Sequence, residues 1–137
     1  MAYVSTSGGD DGGCVFCDHL AEGDDVASHI LRRGRSVFAI LNAFPYNTGH
    51  LMIAPNRHVA DLGDLEEEER YELIELTYRS TDIVRAAMGA QGFNVGMNLG
   101  AVAGAGIPGH LHMHVVPRWG GDTNFMTTVG ETKVLPE

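Results

Sequence analysis

Apolar and polar positions fall into short strand-like runs on either side of one long helical stretch. Residues 26–31 and 36–41 read as two strands. The turn between them is Arg32-Arg33-Gly34-Arg35, in which Gly34 supplies permissive backbone. Residues 51–54 are wholly apolar and closed by Pro55, the pattern of a third, buried strand. From Asp64 the period becomes helical, with Leu73, Ile74, Thr77, Tyr78, Thr81, Val84 and Met88 as its inward face. Asp64 and Glu67 form a capping-box-like start, Glu66–Glu69 sit where the helix dipole favours anions, and Gly89 and Gly92 end the helix. Residues 93–99 and 111–116 return to strand, separated by a glycine-rich loop over 100–109. Strands, one long helix, then strands predict an antiparallel α+β domain of about five strands. Residues 14–25 form a short N-terminal knuckle, and residues 1–13 read as a flexible tail. The chain of 137 residues is expected to hold one domain over residues 14–137.

Composition is that of an ordinary globular protein, with no apolar run of the roughly 20 residues that spans a bilayer. Residues 1–13 lack the features of a signal peptide, so a cytoplasmic location is expected. The net charge of −9 argues against a long nucleic acid as partner. The charge is also unevenly placed. Residues 26–60 and 83–121 contain no carboxylate side chain, yet carry six of the nine Lys and Arg and six of the seven histidines. A site built from these stretches suits an anionic ligand, and its proton transfer or nucleophilic attack falls to histidine.

Residues 109–117 read GHLHMHVVP. In a strand, alternate side chains share a face, so His110, His112 and His114 line one side while Leu111, Met113 and Val115 pack on the other. The preceding glycine loop offers unhindered backbone N–H groups for phosphate. An imidazole attacks phosphorus through an unprotonated nitrogen while its other nitrogen is held by an acceptor. With no carboxylate nearby in sequence, a backbone carbonyl is the expected acceptor.

The run His110-Leu-His112-Met-His114-Val-Val resembles the HΦHΦHΦΦ signature of the histidine triad (HIT) superfamily. Leu41-Asn42, Gly49-His50, Asn98 with Gly100, and Ala103-Gly104 match further landmarks, so the resemblance spans residues 14–119. The runs from Asn42 to His50 and from Pro117 to Asp122, with Asn124 and Phe125, are most similar to bacterial HIT-like proteins near the diadenosine tetraphosphate phosphorylases. The resemblance implies a HIT-like fold and a homodimer in which the long helix and a central strand pair across a two-fold axis. It implies a nucleotide hydrolase or transferase acting on the α-phosphate of adenosine dinucleotides or nucleotide conjugates, through a nucleotidyl-histidine intermediate and without a catalytic metal. His112 would be the nucleophile, His114 would bind phosphate oxygens, and His50 would support them from a neighbouring strand. Asn42 would take the ribose hydroxyls and Asn98 phosphate, with Gly104, Ala105 and Gly106 offering backbone donors. Ile40, with Phe38, Phe44 and Leu51, could wall a nucleobase pocket. Arg118 could approach a polyphosphate tail, and Trp119 could meet a partner subunit. Many relatives carry Gln-Ser in the loop before the triad, but residues 103–107 here offer no side-chain donor. That difference argues mildly against the alternative of an adenosine phosphoramidase. A non-catalytic nucleotide sensor is the alternative outside the enzymes.

Cys14-Val-Phe-Cys17 is a single CxxC, readable as a zinc half-site, a redox pair or two plain thiols. No thioredoxin-like βαβ pattern surrounds it. A closed zinc site needs four ligands, so two histidines must complete it. The resemblance implies Cys14, Cys17, His58 and His110, a structural zinc pinning the knuckle to the base of the histidine strand.

Overall fold

The computed structural model describes residues 13–42, 49–107 and 109–121. Residues 1–12 of the tail expected over 1–13, Phe44, and the landmarks Asp122, Asn124 and Phe125 lie outside the described residues.

Helix α1 (Val15–Glu22) begins where the Cys14 sulfur accepts from the Cys17 backbone N–H. Helix α2 (Asp25–Ser28) follows, capped by Asp24, whose carboxylate accepts from the Ala27 N–H at 3.2 Å. The strand expected over 26–31 therefore begins late. His29 takes a left-handed conformation at φ 66°, turning the chain into β1 (Ile30–Arg33). The Asp24 cap, placed before a short apolar run, outweighs the β-propensity of Val26. Strands β2 (Val37–Leu41) and β3 (Leu51–Pro55) pair antiparallel, with Ile40 opposite Met52.

Helix α3 (Glu67–Met88) starts later than its first capping signal. Asp61, Asp64, Glu66, Glu67 and Glu69 offer overlapping acid pairs at three-residue spacing. Asp61 and Asp64 close a 3-10 turn (Leu62–Asp64), while Glu66 and Glu69 form the box that opens the helix. The helix ends at Gly89, left-handed at φ 68°. Its buried side is Leu73, Leu76, Thr77, Ser80 and Val84, together with Glu69. Ile74 and Tyr78, expected to face inward, are 59% and 57% exposed.

Strands β4 (Gly92–Gly96) and β5 (Met113–Arg118) complete a five-stranded antiparallel sheet in the order β1-β2-β3-β5-β4. β5 begins two residues later than the strand expected over 111–116, so His110 and His112 precede it. No described helix is long and apolar enough to cross a membrane.

The two faces of the sheet carry separate apolar clusters. One unites Val37, Ala39, Leu51, Ile53, Met113 and Val115 with Leu73, Leu76 and Val84 of α3. The other unites Phe38, Ile40, Met52 and Ala54 with Cys14 and Phe16 of the knuckle. Strand alternation makes this division: odd positions of β2, β3 and β5 join α3, and even positions of β2 and β3 join α1.

Two fastenings hold the layers together. The Glu72 carboxylate of α3 accepts from the Arg35 N–H (2.8 Å), the Ser36 N–H (2.7 Å) and the Ser36 hydroxyl (2.6 Å) at the β1–β2 turn. Gly34 is needed there for space rather than for a left-handed φ, since any Cβ would collide with that carboxylate. Arg57 is gripped by Glu69 at 2.8 and 2.6 Å and by the Asp64 carbonyl at 2.8 Å, which fixes the segment bearing His58. The same contact holds the Glu69 carboxyl below its ordinary pKa.

Candidate active site and metal centre

The even-numbered face of the sheet gathers the polar chemistry. Asn42 and His50 extend the β2–β3 pairing one step beyond Leu41 and Leu51, joined by an Asn42 N–H to His50 carbonyl bond of 2.9 Å. His114 lies opposite Met52 on β5, two residues along β3 from His50. Gly49 gives this turn its shape. It is left-handed at φ 77°, and a Cβ there would lie 3.0 Å from both the Met88 sulfur and a Pro117 ring carbon. A larger residue would therefore push His50 off the sheet.

His112 sits just before β5, 4% exposed, with its ring 4.9 Å from that of His114. Its Nδ1 donates to the His110 backbone carbonyl at 2.9 Å. The proton is thereby placed on Nδ1, leaving the lone pair on Nε2, the arrangement of a nucleophilic imidazole. Burial pushes the His112 pKa down, so the ring is neutral near pH 7. His50 Nε2 lies 3.0 Å from His114 Nδ1, and the Asn42 side-chain amide lies 2.9 Å from His50 Nδ1. Burial, with a smaller contribution from His112, lowers the His50 pKa to about 4. Burial likewise holds His114 well below its ordinary value, followed by repulsion from His112 and His50.

His110 faces elsewhere. Its Nε2 donates to the Pro55 carbonyl at 2.8 Å, which leaves a lone pair on Nδ1. That atom lies 3.3 Å from the Cys14 sulfur, 3.7 Å from the Cys17 sulfur and 3.2 Å from His58 Nδ1. Cys17 and His58 are 3.6 Å apart. Tetrahedral zinc, with Zn–S near 2.3 Å and Zn–N near 2.0–2.1 Å, requires S···N edges of about 3.6 Å and an N···N edge of about 3.3 Å. The four donors therefore have the spacing and the deprotonatable chemistry to hold a metal ion. The carbonyl bound to His110 Nε2 is the outer partner that orients a ligating imidazole. Burial, followed by the neighbouring Cys14, raises the Cys17 thiol to about 11.

Phe16 joins the two sites and was not singled out by the sequence. Its ring lies 5.1 Å from His110 and 5.2 Å from His112 in edge-on and tilted packing, and 5.9 Å from Phe38. The only sequence signal was its place inside the CxxC. Glu72, Glu69 and Arg57, which hold the surrounding segments, gave none.

The remaining sequence-derived residues are less uniformly placed. Ile40 and Phe38 lie on the histidine face but inside its apolar cluster, 3% and 0% exposed. Leu51 belongs to the opposite cluster, against α3, so it does not join a nucleobase wall on the histidine face. The Asn98 amide reaches the Gly104 carbonyl at 3.5 Å. The N–H groups of Gly104 and Ala105 are used inside the loop, donating to Ala101 and Gly100 carbonyls at 3.0 and 3.2 Å. The loop thus closes on itself through a 3-10 turn (Ala101–Ala103) in place of an open cradle at those two positions. Beyond them come Gly106 and then Ile107, which is buried in the knuckle-side cluster. Arg118 bonds Asn94 Oδ1 at 2.6 Å, and Trp119 Nε1 donates to the Met88 carbonyl at 3.3 Å.

Comparison with known proteins agrees with this geometry. The sequence model of the HIT domain family matches residues 24–121. An AP-4-A phosphorylase of Mycobacterium tuberculosis is 48% identical over 108 residues, 79% of this chain and 55% of that protein. The chain thus spans about half the length of that curated relative. An uncharacterized HIT-like protein of the same species is 33% identical over 109 residues, 80% of this chain and 74% of the relative. Among solved structures, a Zn-bound histidine triad family protein from Mycobacterium smegmatis superposes with a TM-score of 0.71. It shares 30% identity, over 82% of this chain and 80% of that one. The fold of Plasmodium falciparum diadenosine triphosphate hydrolase is also similar, at a TM-score of 0.65 and 20% identity over 76% and 70% of the two chains. Family match, histidine spacing and sheet topology coincide over the same residues, and the chain belongs to the HIT family.

Proposed function

We propose that this chain is a nucleotidyl hydrolase or transferase that cleaves adenosine dinucleotides at the α-phosphate. The observation that carries the reading is the His112 tautomer: Nδ1–H held by a main-chain carbonyl, Nε2 carrying the lone pair. The similarity to an AP-4-A phosphorylase supports a dinucleoside polyphosphate as substrate. His112 Nε2 attacks the α-phosphorus, forming a P–N bond. The bond from that phosphorus to the bridging oxygen breaks; the nucleoside polyphosphate beyond it, ATP in the case of diadenosine tetraphosphate, leaves with the electron pair, and the AMP moiety stays on His112. Water or inorganic phosphate then attacks the same phosphorus, and His112 departs with its lone pair restored. His114 stabilises charge on the phosphate oxygens as an N–H donor, and His50 supports it through the 3.0 Å contact. The neutral rings suit this work, since a protonated His112 has no lone pair to give.

Zinc is the metal inferred for Cys14, Cys17, His58 and His110, supported by the edge lengths and by the Zn-bound relative. It supplies a structural clamp between α1 and the segment before β5. The chemistry on phosphorus belongs to histidine. Thiolate ligands suit a reducing compartment, which supports a cytoplasmic protein. A homodimer is inferred from the outer face of α3, where Tyr71, Ile74, Tyr78 and Ile83 are exposed, and from edge strand β4.

The test is product chromatography after incubation with diadenosine tetraphosphate, with and without inorganic phosphate, beside His112→Ala. ADP plus ATP formed only with phosphate identifies a phosphorylase. AMP plus ATP without phosphate identifies a hydrolase. Absence of any His112-dependent product refutes the dinucleotide reading and leaves a sensor or a phosphoramidase.

A further inference from the structure

We propose that Asn42 is a positioning residue whose side-chain amide decides which nitrogen of His50, and through it of His114, carries the proton. Its kinetic consequence rests on the nucleotidyl-transfer reading above. The proton placement itself does not.

An amide nitrogen only donates. Asn42 Nδ2 at 2.9 Å from His50 Nδ1 therefore requires a lone pair on that Nδ1. His50 is 1% exposed and neutral near pH 7, so its single proton must sit on Nε2. His50 Nε2–H then donates across 3.0 Å to His114 Nδ1, which must also be a lone pair. The proton of neutral His114 is thereby placed on Nε2. One amide sets two rings in series, and the Asn42 N–H to His50 carbonyl bond keeps its own backbone fixed against them.

The opposite polarity is chemically available. With an acceptor oxygen facing His50 Nδ1, the proton of His50 moves to Nδ1, and its Nε2 becomes an acceptor. His114 must then donate from Nδ1, leaving a lone pair on its Nε2. His112, 4.9 Å away ring to ring, already presents a lone pair to phosphorus. Two lone pairs would then meet an anionic phosphate, and the N–H that should stabilise it would be gone. A carboxylate at position 42 supplies only acceptors, so asparagine and aspartate are not equivalent here, although both could accept from ribose hydroxyls. This places on Asn42 a task besides the ribose contact that the family resemblance assigns to it.

The experiment uses the full chain labelled with 15N-histidine, and long-range 1H–15N correlation of the imidazoles at neutral pH. Wild-type His50 and His114 are expected to show protonated Nε2 and bare Nδ1. Asn42→Asp is expected to place a proton on His50 Nδ1, and Asn42→Leu, which keeps the bulk without the donor, to give mixed tautomers. With diadenosine tetraphosphate, Asn42→Leu is expected to raise KM through the lost ribose contact and to lower kcat by about two- to ten-fold, in proportion to the molecules that hold the wrong tautomer. The same kcat loss is expected with a 2′-deoxyadenosine analogue. A protonated His50 Nδ1 in wild type overturns the proposal, as do unchanged tautomers in both variants. Altered tautomers with undiminished kcat, or a kcat loss that vanishes with the deoxy substrate, overturn its catalytic part. Wild type with the expected spectrum but no turnover refutes the dinucleotide reading instead and leaves the proton placement established.

Discussion

Acidification tests whether His50 is buried as a neutral ring. Its pKa is about 4 in the folded protein against 6.5 for an ordinary histidine. Between those values the unfolded chain binds a proton that the folded chain refuses, so falling pH favours unfolding. The stability associated with the neutral ring is complete above pH 6.5 and declines as pH falls toward 4. At about 1.4 kcal/mol per pH unit, the full gap amounts to about 3 kcal/mol, of which about 2 kcal/mol is lost by pH 5. Glu69, held below its ordinary value by Arg57, changes stability in the same direction but at lower pH. Urea unfolding of wild type and His50→Gln at about pH 7 and pH 5 reads the His50 share together with its smaller coupling to His114, because the titrating groups beyond the His50 neighbours are common to both proteins. Wild type is expected to lose about 2 kcal/mol more than the variant over that interval. Equal losses in the two proteins would refute the picture of His50 as a neutral, desolvated ring.

Two further outcomes follow from the fastenings around the site. Glu72→Ala removes the acceptor for Arg35 and Ser36 and should lower the unfolding free energy by about 2–4 kcal/mol with the histidine tautomers unchanged. Chemical denaturation and imidazole NMR check both halves of that statement. Cys17→Ser should abolish tight zinc binding in metal analysis and lower the melting temperature by about 10 °C or more, and a variant that loses metal without losing stability would refute a structural role.

Much of the site was legible because its signals are local. The two-residue spacing of His112 and His114 puts both rings on one side of the chain, although only His114 lies within β5, and the absence of neighbouring carboxylates leaves a main-chain carbonyl as the acceptor for His112. Long-range partners were legible only through family resemblance, since nothing in the spacing of His58 and His110 says that they meet. The helix start shows the limit of local capping rules. Several acid pairs compete between Asp61 and Glu69, and packing of Leu65 and Leu73 into the core selects among them. The inward face of α3 differs from the expected one for a related reason. Ser80 and Leu76 face the sheet while Ile74 and Tyr78 face outward, and hydrophobicity alone does not distinguish a buried side from a second apolar side. Phe16 carries no sequence signal of its own, because a CxxC marks only its two thiols as ligands and its ring contacts with His110 and His112 are long-range.

His110 serves its two neighbours with different atoms. Its imidazole faces the cysteines, while its carbonyl orients His112. The first depends on side-chain identity, and the second belongs to the peptide backbone that every residue has. Replacing the histidine, or both cysteines with it, removes potential metal ligands but leaves the oxygen that accepts from His112 Nδ1. The metal-ligating donor set and the proton placement on His112 are therefore separable on this scaffold: a lineage can lose the side chains of the first and keep the peptide group that makes the second.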